Sequence, residues 1–156
     1  MAQFTLPKNT SDITEPVLLP EDWHILRIVK EPILKENNAK TGHNIVLQLR
    51  VQSDDPTFNG RPFTMWLPMP KAEDATNIMQ SGMTIEDWKI QQITKIVEAF
   101  TGTPVEGNEF EMEVGQEAQF FIKTAPSQDG QRLVNEIDRY QDPLPVGGKK
   151  LQKKKK

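Results

Sequence analysis

The stretch "TIEDWKIQQITKIVEAF" (residues 84–100) carries the clearest helical period in this chain. Thr84 with Asp87 three residues later is typical of a helix N-terminus, and Gly102 followed by Pro104 is a helix stop. The apolar positions at helical spacing are predicted to face the core. They are Ile85, Trp88, Ile93, Ile96, Val97 and Phe100. The place of this helix among strands decides the fold.

Three segments with strand character precede the helix. Residues 45–51, "IVLQLRV", alternate apolar and polar positions, which puts Gln48 and Arg50 on the more hydrated face. Residues 61–67 follow an Asn-Gly turn signal, and their alternation leaves Trp66 on the face opposite the core. An exposed tryptophan on a short strand is a candidate for a binding role.

The first strand, residues 23–34, has two candidate inward faces. Either Trp23, Ile25 and Val29 or Leu26 and Ile28 can face the core, and the sequence leaves both open. Proline lacks a backbone N–H, so Pro32 should bend or end the strand at a sheet edge. We expect Trp23, like Trp88, to be a core residue.

Two further strands follow the helix: one after the Gly115–Gln116 break within residues 109–124, and one over residues 132–140. Three strands, one helix and two strands is the order of a five-stranded OB-fold barrel, so the predicted fold class is all-β with one helix. A small α+β sandwich is the alternative. The barrel domain is predicted to span residues 21–140, between an extended N-terminal arm (1–20) and a flexible lysine-rich tail (141–156).

Charge is unevenly distributed along the 156 residues. Six of the 19 basic residues lie in the last eight positions, whereas residues 1–148 contain 13 basic and 22 acidic residues. A lysine block of this kind is typical of a flexible arm that approaches polyanions such as nucleic acid. The alternatives are that the lysines only improve solubility or are a cloning remnant.

The motifs of common enzyme classes do not occur in this sequence. There is no cysteine and no glycine-rich phosphate loop, and neither His24 nor His43 has a partner at metal-ligand spacing. Glu86 and Asp87 are explained by helix capping. We therefore expect no enzymatic activity, no cofactor and no metal. Without a signal peptide or about 18 consecutive apolar residues, the expected location is the cytoplasm (of the host, if the protein is viral), with no membrane partner.

Four stretches carry a resemblance to a known family: "LPEDWHILRIVKEPILKENNAKTGHNIVLQLRV", "FNGRPFTMWLPM", "VEAFTG" and "VGQEAQFFIKTAPSQDGQRLVNEIDRY". Over about residues 19–140 the chain resembles the small single-stranded-DNA-binding OB-fold proteins of bacteriophages and related elements. The resemblance implies sequence-nonspecific binding of single-stranded DNA in phage or mobile-element replication or recombination. Several proteins of this functional class end in an acidic tail that recruits partners, whereas this chain ends in lysines.

Binding single strands without sequence readout requires a cationic groove and aromatic faces on which bases stack. Strand alternation suggests two aromatic–cation pairs, Trp66 near Arg50 and Phe121 near Lys123. The other predicted nucleic-acid-binding residues lie on the second strand, at its hairpin and in the first loop. They are Gln48, Arg61, Lys35 and Lys40.

Single-stranded DNA is the expected partner, with RNA as a variant of the same chemistry. A homo-oligomer or replication and recombination proteins are further candidate partners. The alternative function is that of a structural or adaptor protein whose exposed aromatic face forms a protein–protein interface. In that case the N-terminal arm or residues 68–82 would cover Trp66, or Phe121 would pack in a dimer interface.

Overall fold

The computed structural model describes residues 1–12, 17–37 and 41–146. Two short 3-10 helices, Thr10–Asp12 and Ala72–Ala75, accompany seven strands and one α-helix in this part of the chain. The strands and the helix are β1 (Asp22–Ile28), β2 (Ile33–Glu36), β3 (His43–Gln52), β4 (Pro62–Pro68), α1 (Ile85–Thr101), β5 (Glu117–Pro126), β6 (Leu133–Ile137) and β7 (Leu144–Pro145). The protein is therefore mostly β-sheet with a single α-helix, as predicted.

All strand pairs of the sheet are antiparallel. β1 pairs with β3 and β5, while β2 and β4 also pair with β3. β6 and β7 both pair with β5. Within the described residues no pairing joins β4 to β6, so the sheet is open and the predicted closed barrel is not seen. Within the described residues, β4 pairs only with β3 and β6 only with β5, so each has one edge that pairs with no other strand.

The predicted first strand is divided in two. β1 ends at Ile28 and β2 begins at Ile33, directly after Pro32. The chain bends at Pro32, as predicted. Both halves nevertheless pair with the same strand, β3. Leu26 and Ile28 are fully buried, which settles the inward face that the sequence left open.

The core lies between the sheet and the C-terminal part of α1. The apolar positions of β3 predicted to face inward are all buried, and so are Ile93, Ile96, Val97 and Phe100 on α1. The Phe100 and Phe120 rings pack with their centroids 5.6 Å apart and their planes tilted by 46°. This aromatic pair fastens the helix to β5.

Trp88 does not belong to this core, although the helical spacing predicts that it does. Its side chain is 42% exposed. The helix is well capped at both ends: the Thr84 hydroxyl accepts the Asp87 N–H at 3.1 Å, and Gly102 has a φ of 75°. The N-terminal turns of α1, which include Trp88, pack against the 3-10 helix Ala72–Ala75. The prediction that Trp88 is a core residue is therefore wrong.

The sheet contacts residues on both sides of the predicted domain. Leu19 is buried, and the Asn135 side chain holds its backbone by accepting its N–H at 2.8 Å and donating to its carbonyl at 3.1 Å. At the other end β7 pairs with β5 opposite Ala118 and Gln119. Both contacts extend the folded part beyond the predicted limits of 21 and 140. Residues 147–156 of the predicted tail lie outside the described residues.

Candidate nucleic-acid interface

A cleft runs between β4 and β6 and ends at α1; we call it the β4–β6 cleft. Three hollows of 680, 290 and 650 Å³ make up its length. Neighbouring hollows share residues, Phe63 and Asn135 at one junction and Ile137 and Arg139 at the other. Trp66 borders all three. The cleft therefore exists because β4 and β6 do not pair, and Trp66 lies at its centre.

Three aromatic side chains of the cleft are exposed. Trp66 on β4 is 55% exposed, Trp88 on α1 is 42% exposed, and Tyr140 just after β6 is 94% exposed. They lie on β4, on α1 and just after β6, so the tertiary fold brings them together and their spacing in the sequence does not. Aromatic faces that are open to solvent offer stacking surfaces for planar ligands.

Basic side chains outnumber acidic ones in the cleft by six to two. The acidic side chains are Glu136 and Asp142; the basic ones are Arg61, Lys89, Lys95, Lys123, Arg132 and Arg139. This local excess contrasts with the acidic balance of residues 1–148. Attraction of a polyanion depends on the local potential, so an acidic protein can still hold one in this cleft.

The three lysines of the cleft are already engaged with carboxylates. Lys89 lies 2.7 Å from Asp74, and Lys95 lies 3.3 Å from Asp142. Lys123 lies 3.7 Å from Glu136 and 3.9 Å from Asp138, with its ammonium 5.8 Å from the Tyr140 ring centroid. Any anion that binds these lysines must compete with the carboxylates.

The three arginines of the cleft differ from the lysines. Arg61, Arg132 and Arg139 form no ion pair with any other residue that the structure describes. Desolvation lowers the pKa of the Arg139 guanidinium from its ordinary value, although the group stays charged at neutral pH. Arg139 is exposed and forms no ion pair with another described residue, so its guanidinium can reach an external anion such as a phosphate.

Asp74 holds α1, which forms one side of the cleft, against the 3-10 helix Ala72–Ala75. Its carboxylate accepts the backbone N–H of Lys71 at 2.8 Å and the ammonium of Lys89 at 2.7 Å, and the residue is buried. The Lys71 N–H, followed by the Lys89 hydrogen bond, holds the pKa of this carboxyl below its ordinary value. The ion pair thus ties the 3-10 helix to α1 beside Trp88.

Replacing Asp74 with Asn is expected to lower the free energy of unfolding at neutral pH, because a neutral amide cannot pair with Lys89. Since folding depresses the Asp74 pKa, its contribution is complete above the unfolded value of about 4 and disappears as the pH falls through the folded value. Urea unfolding at pH 7 and near pH 2 measures both. Equal differences between wild type and Asp74→Asn at the two pH values would contradict this account.

The β3–β4 register separates Trp66 from Arg50. Trp66 lies opposite Val46 and Arg50 lies opposite Pro62, so four residues of β3, or about 13 Å, separate the two positions along the strand. The predicted pair of Trp66 with Arg50 is therefore not formed. Gln48 and Arg50 are exposed on the outer face of β3, as predicted, but neither lines the β4–β6 cleft.

The second predicted pair is also divided. Phe121 is half-buried and meets the half-buried Trp23 edge to face, with ring centroids 5.7 Å apart and an 80° interplanar angle. Lys123 instead lines the cleft at the α1 end. Phe121 is thus a partner of Trp23 on the outer sheet face. Trp23 lies opposite the face of β1 that buries Leu26 and Ile28, so the prediction that it is a core residue is wrong.

The remaining predicted residues divide between the cleft and its surroundings. Arg61 lines the cleft, held over the Phe58 ring at 5.5 Å from the centroid. Lys35 borders a separate hollow of 280 Å³ that also contacts Trp66. Lys40 lies outside the described residues. The structure therefore brings together Trp66, Arg61 and Lys123 from the predicted set.

Several cleft residues were not predicted from the sequence. Arg132, Arg139 and Tyr140 follow no period that would mark them. A weak signal did exist on the helix, where Trp88, Gln92 and Lys95 are spaced by four and three residues and so share one face beside the apolar stripe. These three residues and the neighbouring Lys89 line the cleft.

Comparisons with known proteins add no relative. The chain matches no protein-family model, and no curated protein is significantly similar to it. In the described parts of the chain, no helix combines the length and hydrophobicity needed to cross a bilayer. The same residues contain no group of three or more His, Asp or Glu side chains that could hold a metal ion.

Proposed function

We propose that this protein binds single-stranded DNA without sequence specificity, with the strand lying in the β4–β6 cleft. The observation that carries the proposal is the combination of exposed Trp66 with three arginines that form no ion pair within the described residues, all in one elongated cleft. Stacking on aromatic side chains and backbone neutralisation by cations are the two terms of such binding. Serving replication or recombination of a phage or mobile element is the role that the sequence resemblance implies.

We also infer that the fold is a partly open OB-fold. In this interpretation β1 and β2 together are the first strand, followed by β3, β4, β5 and β6 as the second to fifth. The observed pairs support it, because the first strand contacts the second and fourth, and hairpins join the second to the third and the fourth to the fifth. OB-folds bind oligonucleotides on the second and third strands and adjacent loops, which is where Trp66 lies.

Each part of the cleft has a distinct task in this proposal. Trp66 stacks a base at the centre, and Trp88 and Tyr140 extend the stacking surface toward α1. Arg61 and Arg132 meet phosphates at one end of the cleft and Arg139 meets them toward the other. Stacking contributes about 1 to 3 kcal/mol per base, so three aromatic residues suffice for useful affinity.

Titration with oligo-dT, followed by tryptophan fluorescence, tests the proposal. We expect quenching at low ionic strength and progressively weaker binding as salt rises, because phosphate contacts are screened. Polyglutamate, a polyanion without bases, should displace the oligonucleotide much less effectively than unlabelled oligo-dT, since it can compete for the arginines but has no bases to stack. No fluorescence change and no binding at low salt would contradict the proposal and favour the protein-interface alternative.

Replacing Arg139 with Gln is expected to weaken oligo-dT binding about tenfold, because a charge-assisted hydrogen bond contributes roughly 1.5 kcal/mol. Fluorescence anisotropy of a labelled oligonucleotide measures the loss. Arg27→Gln is the matched control, since Arg27 pairs with Glu117 at 2.9 Å on the outer face of the sheet. Equal losses in the two variants would show that net charge, and not the cleft, governs binding.

A further inference from the structure

We propose that the free edge of β2 is a self-association surface, on which β2 of a second copy pairs in the antiparallel direction to form a two-fold dimer. In the part of the chain that the structure describes, β2 pairs only with β3, and all four of its residues are exposed. An exposed strand edge is a template for pairing with another chain. No residue of β2 lines the β4–β6 cleft except through the separate hollow beside Trp66, so the dimer does not depend on DNA binding.

Both apolar side chains of β2 are exposed. Ile33 is 54% exposed and Leu34 is 60% exposed. Ile33 lies opposite Val46 on the outer face of the sheet, whereas Leu34 lies opposite the buried Ile45 on the inner face. Leu34 thus marks the point where the inner apolar face reaches the edge of the sheet. A strand added at this edge would cover one apolar side chain on each face.

The backbone groups of β2 alternate between β3 and the free edge. The Asn37 N–H donates to the Gly42 carbonyl at 2.9 Å, which fixes the phase of the β2–β3 ladder. Every second pair of an antiparallel ladder is hydrogen-bonded, so the odd-numbered residues of β2 bond with β3. The even-numbered residues at and just before β2 direct their backbone groups to the free edge. They are Pro32, Leu34 and Glu36.

One register of the second copy matches these groups. With Leu34 opposite Leu34 of the second copy, the two leucines exchange backbone hydrogen bonds across the two-fold axis. Each Glu36 N–H then meets the Pro32 carbonyl of the other copy, and Pro32 has no N–H that would be left without an acceptor. Ile33 lies opposite Lys35 of the second copy, where the apolar stem of the lysine can cover it.

Other registers are less favourable. A shift by one residue would bring Leu34 against backbone groups that already bond with β3. A shift by two residues would place either Lys35 directly opposite Lys35, which is repulsive, or Leu34 opposite Pro32, which has no N–H to donate in return. Charge does not oppose the pairing as a whole, because residues 30–36 contain two lysines and two glutamates.

Sedimentation equilibrium of the full chain tests the proposal. A short strand edge buries less than the roughly 1,200 Å² of a stable interface, so we expect weak association. By mass action, the mean mass should rise from the monomer value toward twice that value between about 10 and 500 μM protein. A mass that stays at the monomer value over this range would overturn the proposal.

A lysine at the two-fold axis assigns the association to this edge. Leu34→Lys places two ammonium groups directly opposite each other and removes the leucine contact, so it should weaken association about tenfold. Ile90→Lys is the matched control, since Ile90 is 48% exposed on α1 and lies outside the edge. Thermal unfolding verifies that both variants are folded. Equal association of the two variants would contradict the assignment.

A cysteine at the same position tests the register, because the chain contains no cysteine of its own. Hydrogen-bonded partners have Cα atoms about 5.5 Å apart, which suits a disulfide. Oxidation of Leu34→Cys should therefore give a covalent dimer, and Ile90→Cys should give little. Similar yields would overturn the register. Loss of oligo-dT binding in the wild type, by contrast, would reject the proposed function and leave the dimer standing.

Discussion

Replacing Trp66 with Ala is expected to weaken oligo-dT binding by about 5- to 150-fold while lowering thermal stability much less than a core substitution would. One stacked base contributes about 1 to 3 kcal/mol, and Trp66 borders every hollow of the β4–β6 cleft. Because the side chain is 55% exposed, its loss removes less buried surface than the loss of a core residue, so stability should fall much less than for a core substitution. Anisotropy titrations and thermal unfolding measure the two quantities separately.

Trp23→Ala is the control for this experiment. Trp23 is half-buried and packs against Phe121 on the outer sheet face, so its loss should lower stability more than affinity. The two variants should therefore separate, with affinity lost in one and stability in the other. A large drop in the melting temperature of Trp66→Ala, with affinity unchanged, would identify Trp66 as a structural residue.

Replacing Phe120 with Ala is expected to lower the free energy of unfolding by about 3 to 5 kcal/mol, because it leaves a cavity where a buried ring was. Phe120 is 2% exposed and packs on Phe100, the contact that holds α1 on the sheet. Domains of this size have total stabilities of about 5 to 15 kcal/mol, so the variant should approach the unfolding threshold. Urea denaturation at neutral pH measures the change.

Phe121→Ala is the matched control, since it removes the same side chain one residue later. Phe121 lies on the opposite face of β5 and is half-buried, so its replacement should cost much less than that of Phe120. Similar losses for both variants would contradict the assignment of inner and outer faces on β5.

Local patterns predicted the orientation of strand residues well. The period of two placed Leu47, Leu49 and Met65 inside and Gln48 and Trp66 outside, and the structure confirms these positions. The reason is that alternation follows from backbone geometry alone, so it does not depend on which strands become neighbours. The capping signals likewise predicted the bounds of the helix to within one residue.

The cleft could not be predicted in the same way. It brings β4 next to residues 132–142, which are about 70 positions further along the chain, and no local period encodes that distance. Trp88 shows the same limit within one element: its spacing fits the apolar stripe, yet its side chain is exposed where α1 contacts the 3-10 helix Ala72–Ala75. The ion pairs of Lys123 also could not be predicted, because its partners Glu136 and Asp138 lie on β6 and just after it.

The uneven placement of charge has a consequence for association rates. Six of the 13 basic residues but two of the 22 acidic residues in positions 1–148 line the β4–β6 cleft. We expect an approaching polyanion to be repelled by most of the surface and attracted to this cleft, chiefly at its arginines because its lysines are paired with carboxylates, so that collisions in a wrong orientation are short-lived. In the proposed function, electrostatic steering of this kind would orient the strand before any base is stacked, and we expect it to fade with ionic strength sooner than the contacts it leads to.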